Sequence, residues 1–199
     1  MAALPDVSAE TIARAMAPRL AFGRGILADA SPSWGRYLLL TMPEPWGAAQ
    51  SLLATSPYHI HFVESMDRSE VERVEASLPA ADVIVGLGGG QALDMAKYVA
   101  WRRGVDPVLV PAIASVDACV TNTVAVRDAG RVRYIGFAVP QVVLADFDLL
   151  QSAPAHLNRA GIGDILSIHT ALWDWRIAAE RGHGRFEERV AQTLSLIHI

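Results

Sequence analysis

The stretch Val83–Lys97, VIVGLGGGQALDMAK, passes from a continuous apolar segment through four glycines into a helical pattern. A strand that turns this tightly into a helix is the first half of a βαβ unit, and such units build parallel sheets. The turn leaves the first backbone N–H groups of the helix without carbonyl partners, at the positive end of its dipole, where a phosphate is favoured. The dinucleotide fingerprint G-x-G-x-x-G would need glycine at position 91, where Gln91 stands. Its acidic partner at the end of the next strand is also missing, because PVLVP closes on proline. Two readings remain: a pyrophosphate cradle of another kind, or glycines that serve only the strand-to-helix geometry.

The segments on either side agree with a parallel sheet. Arg36–Met42 (RYLLLTM), Tyr58–Glu64 (YHIHFVE), Pro107–Val110 (PVLV) and Gln141–Ala145 (QVVLA) read as strands, each bounded by turn residues or a helical pattern. Helices are predicted over 8–20, with Ser8 as cap, over the stretch after Ser69 to about Pro79, and over about 91–103. Ser69 and Glu72 form an S-x-x-E capping box at the second of these. Two alternating segments around Asp128-Ala129-Gly130 predict a hairpin inserted between the strands at 107–110 and 141–145. Beyond Pro154 strand signals stop: a short helix is predicted from Ala155, then a break at Gly161 and Gly163, then a longer helix with Leu172, Trp173 and Trp175 in its core face.

The resulting fold class is α/β: an N-terminal Rossmann-like, mostly parallel sheet with helices on both faces, residues 1–150, followed by the start of an all-α domain, residues 151–199. The chain has 199 residues, 52% of them hydrophobic and 19% charged, enough to bury a substantial core. Seventeen basic against 21 acidic residues, with no basic run, exclude a nucleic-acid partner and an anionic-membrane partner on charge grounds. No apolar run has the length of a membrane helix, the opening MAALPDVSAE is not a signal peptide, and Cys119 stands alone. These features predict a cytoplasmic protein with a small-molecule ligand.

Three constellations could carry chemistry. The glycine loop is the first; Asp94 and Lys97 beyond it read as a surface ion pair. The second is Pro111–Asp117 (PAIASVD), directly after the next parallel strand. Open α/β sheets bind ligands outside the carboxyl ends of their strands, so Asp117 could face a substrate hydroxyl, or could merely hold its own turn. The third is Ala160–Trp175 (AGIGDILSIHTALWDW), where Asp164 reads either as a helix N-cap or as a ligand. His169 lies about 140° around a helix from Asp164, so the two cannot chelate one ion from a single face. His59 and His61 share a strand face with no third ligand near in sequence.

Taken in order, GLGGGQALDMAK, PAIASVDA and GIGDILSIHTALWDWRIA resemble the metal-dependent polyol dehydrogenases of the dehydroquinate-synthase-like fold over about residues 20–181. The Gly-Asp-Ile-hydrophobic-Ser segment, leading into a Thr-Ala-x-x-Asp-Trp helix, is most similar to the glycerol-1-phosphate dehydrogenase branch. The resemblance implies that Gly89, Gly90, Gln91, Ala92, Leu93 and Asp94 lie beside the pyrophosphate of NAD or NADP. It implies that Ala112, Ile113, Ala114, Ser115 and Thr121 line the cofactor, and that Asp117 is presented to substrate. It makes Asp164 a catalytic and substrate-binding carboxylate, ligating a divalent metal: zinc, nickel or iron. Ala112 departs from the hydroxyl residue usual at its position, and Val116-Asp117-Ala118-Cys119 from the commoner His-Asp-Gly.

The activity so implied is hydride transfer between nicotinamide and dihydroxyacetone phosphate or glycerol 1-phosphate, by a homo-oligomer at full length. Alternatives are a glycerol or other polyol dehydrogenase, and a cofactor-binding fragment without catalysis. The two histidines that complete such a metal site are expected beyond residue 199, since none of His156, His169, His183 or His198 stands in a matching context. The closing LSLIHI, residues 194–199, matches a translated library-adaptor end, with ordinary helix residues as the alternative. The expectation is therefore a C-terminally truncated copy.

Overall fold

The computed structural model describes residues 18–115 and 117–196. Six strands form one sheet: β1 (Arg19–Gly23), β2 (Tyr37–Thr41), β3 (His59–Phe62), β4 (Val83–Gly88), β5 (Val108–Pro111) and β8 (Val142–Asp146). Their order is β1-β8-β5-β4-β2-β3, and every pairing is parallel. The inner strands β2, β4, β5 and β8 read as largely apolar runs because both faces of the sheet are covered there, whereas the edge strands β1 and β3 are partly exposed. All five residues of β2 are buried, and each of its leucines contributes roughly 1.5–3 kcal/mol by leaving water.

The period of two along a strand divides this burial between two layers. Leu38 and Ile84, register partners, face a layer containing Val71 and Val74 of α3 (Arg68–Ser77) and Leu93, Ala96, Tyr98 and Val99 of α4 (Gly90–Arg103). Leu39 and Val85 face the opposite layer, with Leu27 of α1 (Ile26–Ala30), Ala49 of α2 (Pro43–Ala49) and Leu149 of α5 (Phe147–Ser152). At the end of β8 the wholly buried Asp146 carboxylate accepts from the Leu27 N–H at 3.1 Å and from the Asp148 N–H at 2.9 Å. These bonds cap α5 and satisfy the buried carboxylate.

The connection leaving β2 crosses one face through α2, and that leaving β4 crosses the other through α4, although β2 and β4 are neighbours. Their carboxyl ends thus flank a topological switch point, where the loops diverge and leave a crevice. The insertion is the hairpin β6 (Thr123–Asp128) and β7 (Arg131–Phe137), a separate two-stranded sheet. Its turn residues Ala129 and Gly130 both have positive φ, 49° and 72°, the geometry of a type I′ turn. The hairpin packs on α4 at Gly136, where a β-carbon would stand 2.5 Å from the Trp101 indole.

Several sequence expectations are corrected. Most of the helix expected over 8–20 lies outside the described residues, and its last members, Arg19 and Leu20, open β1 instead. Asp67, not Ser69, is the N-cap of α3, and Glu72 is held by Arg68 at 3.0 Å, so it does not close a capping box. No break occurs at Gly161 or Gly163: α6 runs unbroken from Ala155 to Glu180. Asp164 therefore sits in mid-helix and is not a cap. Trp173 is 58% exposed, and Leu172 and Trp175 are only half-buried, so the expected core face of this helix is open. Trp175 packs against Phe186 in the segment before α7 (Glu188–Leu196), which holds residues 194–196; 197–199 lie outside the described residues. Among the described residues no helix is long and apolar enough to cross a membrane.

Candidate active site

The glycine loop divides its work. A β-carbon on Gly86 would lie 2.6 Å from that of Ala96 and 3.2 Å from the Ala92 carbonyl, so this glycine lets α4 close onto β4. Gly88 has φ +147° and would meet Ala92 at 3.0 Å, so it serves the sharp turn. Both fulfil the purely structural reading. Gly89 differs: it is the N-cap of α4 in extended conformation and makes no side-chain cap. The first α4 bond beyond it runs from the Leu93 N–H to the Gly89 carbonyl at 3.2 Å. The Gly90, Gln91 and Ala92 amides precede that bond and meet no capping side chain among the described residues, the arrangement an anion uses. Ala92 and Leu93 are buried, so their side chains face the core and only backbone is offered to a ligand.

The segment after β5 is tied to this loop. The Ala112 N–H donates to the Gly88 carbonyl at 2.9 Å, and the end of the Ile113 side chain lies over Gly89. Ala114 is held from the other side, its N–H donating to Asn158 Oδ1 at 2.9 Å, while Asn158 Nδ2 donates to the Leu150 carbonyl at 2.7 Å. Asp117 opens a 3₁₀ turn, Asp117–Cys119, and its backbone carbonyl accepts from the Val120 and Thr121 amides. The main chain therefore closes this turn, and the exposed Asp117 side chain borders the crevice.

That crevice is an open cleft of about 300 Å³ lined by Gly90, Asp94, Asp117, Ala118, Thr121, Thr123, Ala125 and Tyr134. It unites Gly90, Asp94, Asp117 and Thr121 of the sequence-predicted set. Ile113 packs at Gly89 and is not among the lining residues, and Ala112 is buried under the strand end. Burial, as the dominant effect, pushes the Asp94 carboxyl above its usual range; the Lys97 ammonium and the Ala125 N–H oppose this. Burial likewise raises the Cys119 thiol, giving no activated thiolate.

Four residues escaped the sequence reading. Lys97 is not on the surface: it is fully buried beneath the cleft, 2.8 Å from Asp94. Its place on α4 between the buried Ala96 and Tyr98 was the available signal. Thr123 and Tyr134 come from the hairpin, whose orientation relative to the glycine loop no local pattern encodes. Asn158 acts through contacts 44 residues away, with no sequence signature.

Asp164 stands apart, exposed on α6 and not among the cleft residues. Among the described residues no three His, Cys, Asp or Glu side chains come together as metal ligands. The described residues on their own make up no divalent-metal site, whereas the uncapped turn of α4 does fit a dinucleotide pyrophosphate.

The sequence profile of the iron-containing alcohol dehydrogenase family matches residues 46–154. The chain is 34% identical over 180 residues to glycerol-1-phosphate dehydrogenase [NAD(P)+] of Halobacterium salinarum, covering 83% of this chain and 51% of that protein. It is 35% identical over 127 residues to the enzyme of the same name from Hyperthermus butylicus, covering 64% of this chain and 36% of that protein. The crystal structure of a probable glycerol dehydrogenase from Sinorhizobium meliloti superposes with TM-score 0.67 at 29% identity, covering 76% of this chain and 46% of that one. The chain thus spans between about a third and a half of the length of these proteins.

Proposed function

The chain belongs to the iron-containing alcohol dehydrogenase family, and on that premise we propose that it carries the cofactor-binding half of an NAD(P)-dependent glycerol-1-phosphate dehydrogenase. The observation that carries this reading is the single cleft joining the uncapped first turn of α4 to the Asp117 carboxylate. The amides of Gly90, Gln91 and Ala92 would bind the pyrophosphate, with Ile113 packed over the missing side chain of Gly89 beside them. Ser115 and Thr121 would line the cofactor between the two loops. The Asp117 carboxylate would accept a hydrogen bond from a substrate hydroxyl and orient the carbonyl carbon of dihydroxyacetone phosphate. A bound nicotinamide supplies or accepts the hydride. Asp164 would be one carboxylate ligand of a divalent ion, although no group of three such ligands forms among the described residues.

Residues 1–150 would form the dinucleotide-binding unit, and 151–199 the beginning of a helical unit that the whole protein completes. Titrating this chain with NADH, followed by nucleotide fluorescence, tests the reading: saturable binding supports it, and none removes it. For the whole enzyme, Asp164→Ala should abolish metal-dependent turnover and leave NADH binding intact. Likeness to the probable glycerol dehydrogenase of Sinorhizobium meliloti favours one rival, a non-phosphorylated polyol substrate. Turnover of glycerol 1-phosphate against glycerol separates the two.

A further inference from the structure

Two of the residues lining the cleft, Asp94 and Asp117, are acidic and none is basic, although the proposed ligand is an anion. The compensating charge lies underneath. Lys97 is 0% exposed, and Nζ is 2.8 Å from Asp94 Oδ1, 2.8 Å from the Thr123 carbonyl and 3.2 Å from the Thr121 carbonyl, with Thr121 Oγ1 at 3.4 Å. An ammonium has three donors, and these partners use them all, so Lys97 has none to offer a ligand. It acts through its neighbours. One donor fixes Asp94 on α4, and the others hold the strand that brings Thr121, Thr123 and the hairpin against the glycine loop. A buried ammonium this well partnered also cancels the Asp94 charge at close range, where little solvent screens it.

We propose that Lys97 is the positioning residue of the cofactor cleft: it anchors the Thr121–Thr123 segment to α4 and neutralises Asp94, so that a dinucleotide pyrophosphate can approach the first turn of the helix. The inference rests on the cofactor reading above and deepens it. Asp94 then serves as the counter-charge of Lys97, and its carboxylate opposes the ligand instead of recruiting it.

The test compares wild type, Lys97→Met, Asp94→Asn and the double variant, by NADH fluorescence titration and thermal melting. Lys97→Met should weaken NADH binding about tenfold or more, by exposing the ligand to an uncompensated carboxylate. Adding Asp94→Asn should recover part of that loss, because the net charge of the pair is restored while the anchor to the Thr121 and Thr123 carbonyls is not. Asp94→Asn alone, nearly isosteric, should tighten binding about threefold. A purely structural lysine would give no rescue. Unchanged affinity in Lys97→Met, an unrescued double variant that melts like wild type, or weaker binding in Asp94→Asn would each overturn the proposal. Should Lys97→Met fail to fold, the sign of the Asp94→Asn effect decides. Wild-type chain that binds no NADH defeats the cofactor reading itself, and this inference with it. Wild-type binding that is indifferent to all three changes defeats the inference alone.

Discussion

Gly161 of α6 lies against the backbone carbonyl of Ala114, so close that a β-carbon at 161 would overlap the oxygen. Together with the Asn158 side chain, which accepts from the Ala114 N–H, this seats the first turns of α6 on the loop that borders the cleft. A glycine inside a helix costs about 1 kcal/mol relative to alanine, so its presence twice in three residues needs a reason. Gly161 has one; Gly163, with nothing within 4 Å of its missing β-carbon, does not. Gly161→Ala should therefore lower unfolding stability by roughly 1–3 kcal/mol, because the collision is with backbone that cannot rotate away. Gly163→Ala should raise it by up to about 1 kcal/mol. Urea denaturation of both variants checks the opposite signs.

The glycine loop offers a second separation of fold from ligand. Gly86→Ala would press against Ala96 and the Ala92 carbonyl, and should cost roughly 1–3 kcal/mol by forcing α4 off the sheet. Gly89 is in a conformation open to any residue, and its nearest obstacle is the movable tip of Ile113, 3.0 Å away. Gly89→Ala should leave the melting temperature nearly unchanged, yet weaken NADH binding by crowding the approach to the α4 amides. Melting and fluorescence titration on the same two proteins check it.

The sequence made the sheet legible because continuous apolar runs such as YLLLT and VIVGLG have one inexpensive fate, burial on both faces. The hairpin was legible from Asp128-Ala129-Gly130, since paired positive φ values confine the turn. Helix ends were less so: Ser69 has the capping chemistry, but Asp67 precedes it and Arg68 takes Glu72 away. At Gly161-Ile162-Gly163 a propensity argument predicts a break, and the chain stays helical because close packing at 161 favours the glycine. In the site, Asp94, Asp117 and Thr121, singled out by the family resemblance and not by local spacing, line one cleft. Lys97 was misplaced because an i,i+3 acid-base pair looks the same in sequence on a surface and beneath a cleft.

His61 supplies a pH-dependent prediction away from the cleft. It is half-buried on β3, and its imidazole is pushed below the ordinary 6.5 chiefly by burial, with His59 adding to the effect and Glu70 and Glu64 opposing it. The folded state therefore binds the proton less readily than the unfolded one. Between the lowered value and 6.5 the unfolded state holds more protons, so stability increases with rising pH and is lost as pH falls through that window. His61→Gln removes this contribution. The difference in melting temperature between wild type and variant should change as pH is lowered from 7 through this window, with wild type losing the more; a constant difference would disprove it.

Along α6 beyond Gly161, Ile162, Leu166, Trp173 and Ile177 recur at helical spacing and are 58%, 62%, 58% and 40% exposed. Exposed large apolar side chains repeated along one helix face make a surface that binds apolar probes. The 199-residue chain should enhance the fluorescence of an anilinonaphthalene dye while fully folded, as judged by near-ultraviolet circular dichroism. Replacing Leu166 and Trp173 together by Gln should remove most of that enhancement. Because the side chains removed are exposed, stability should change by no more than about 0.5 kcal/mol per site. Dye binding unaffected by the double replacement would place the apolar surface elsewhere; a large loss of stability would mean that the stripe is packed.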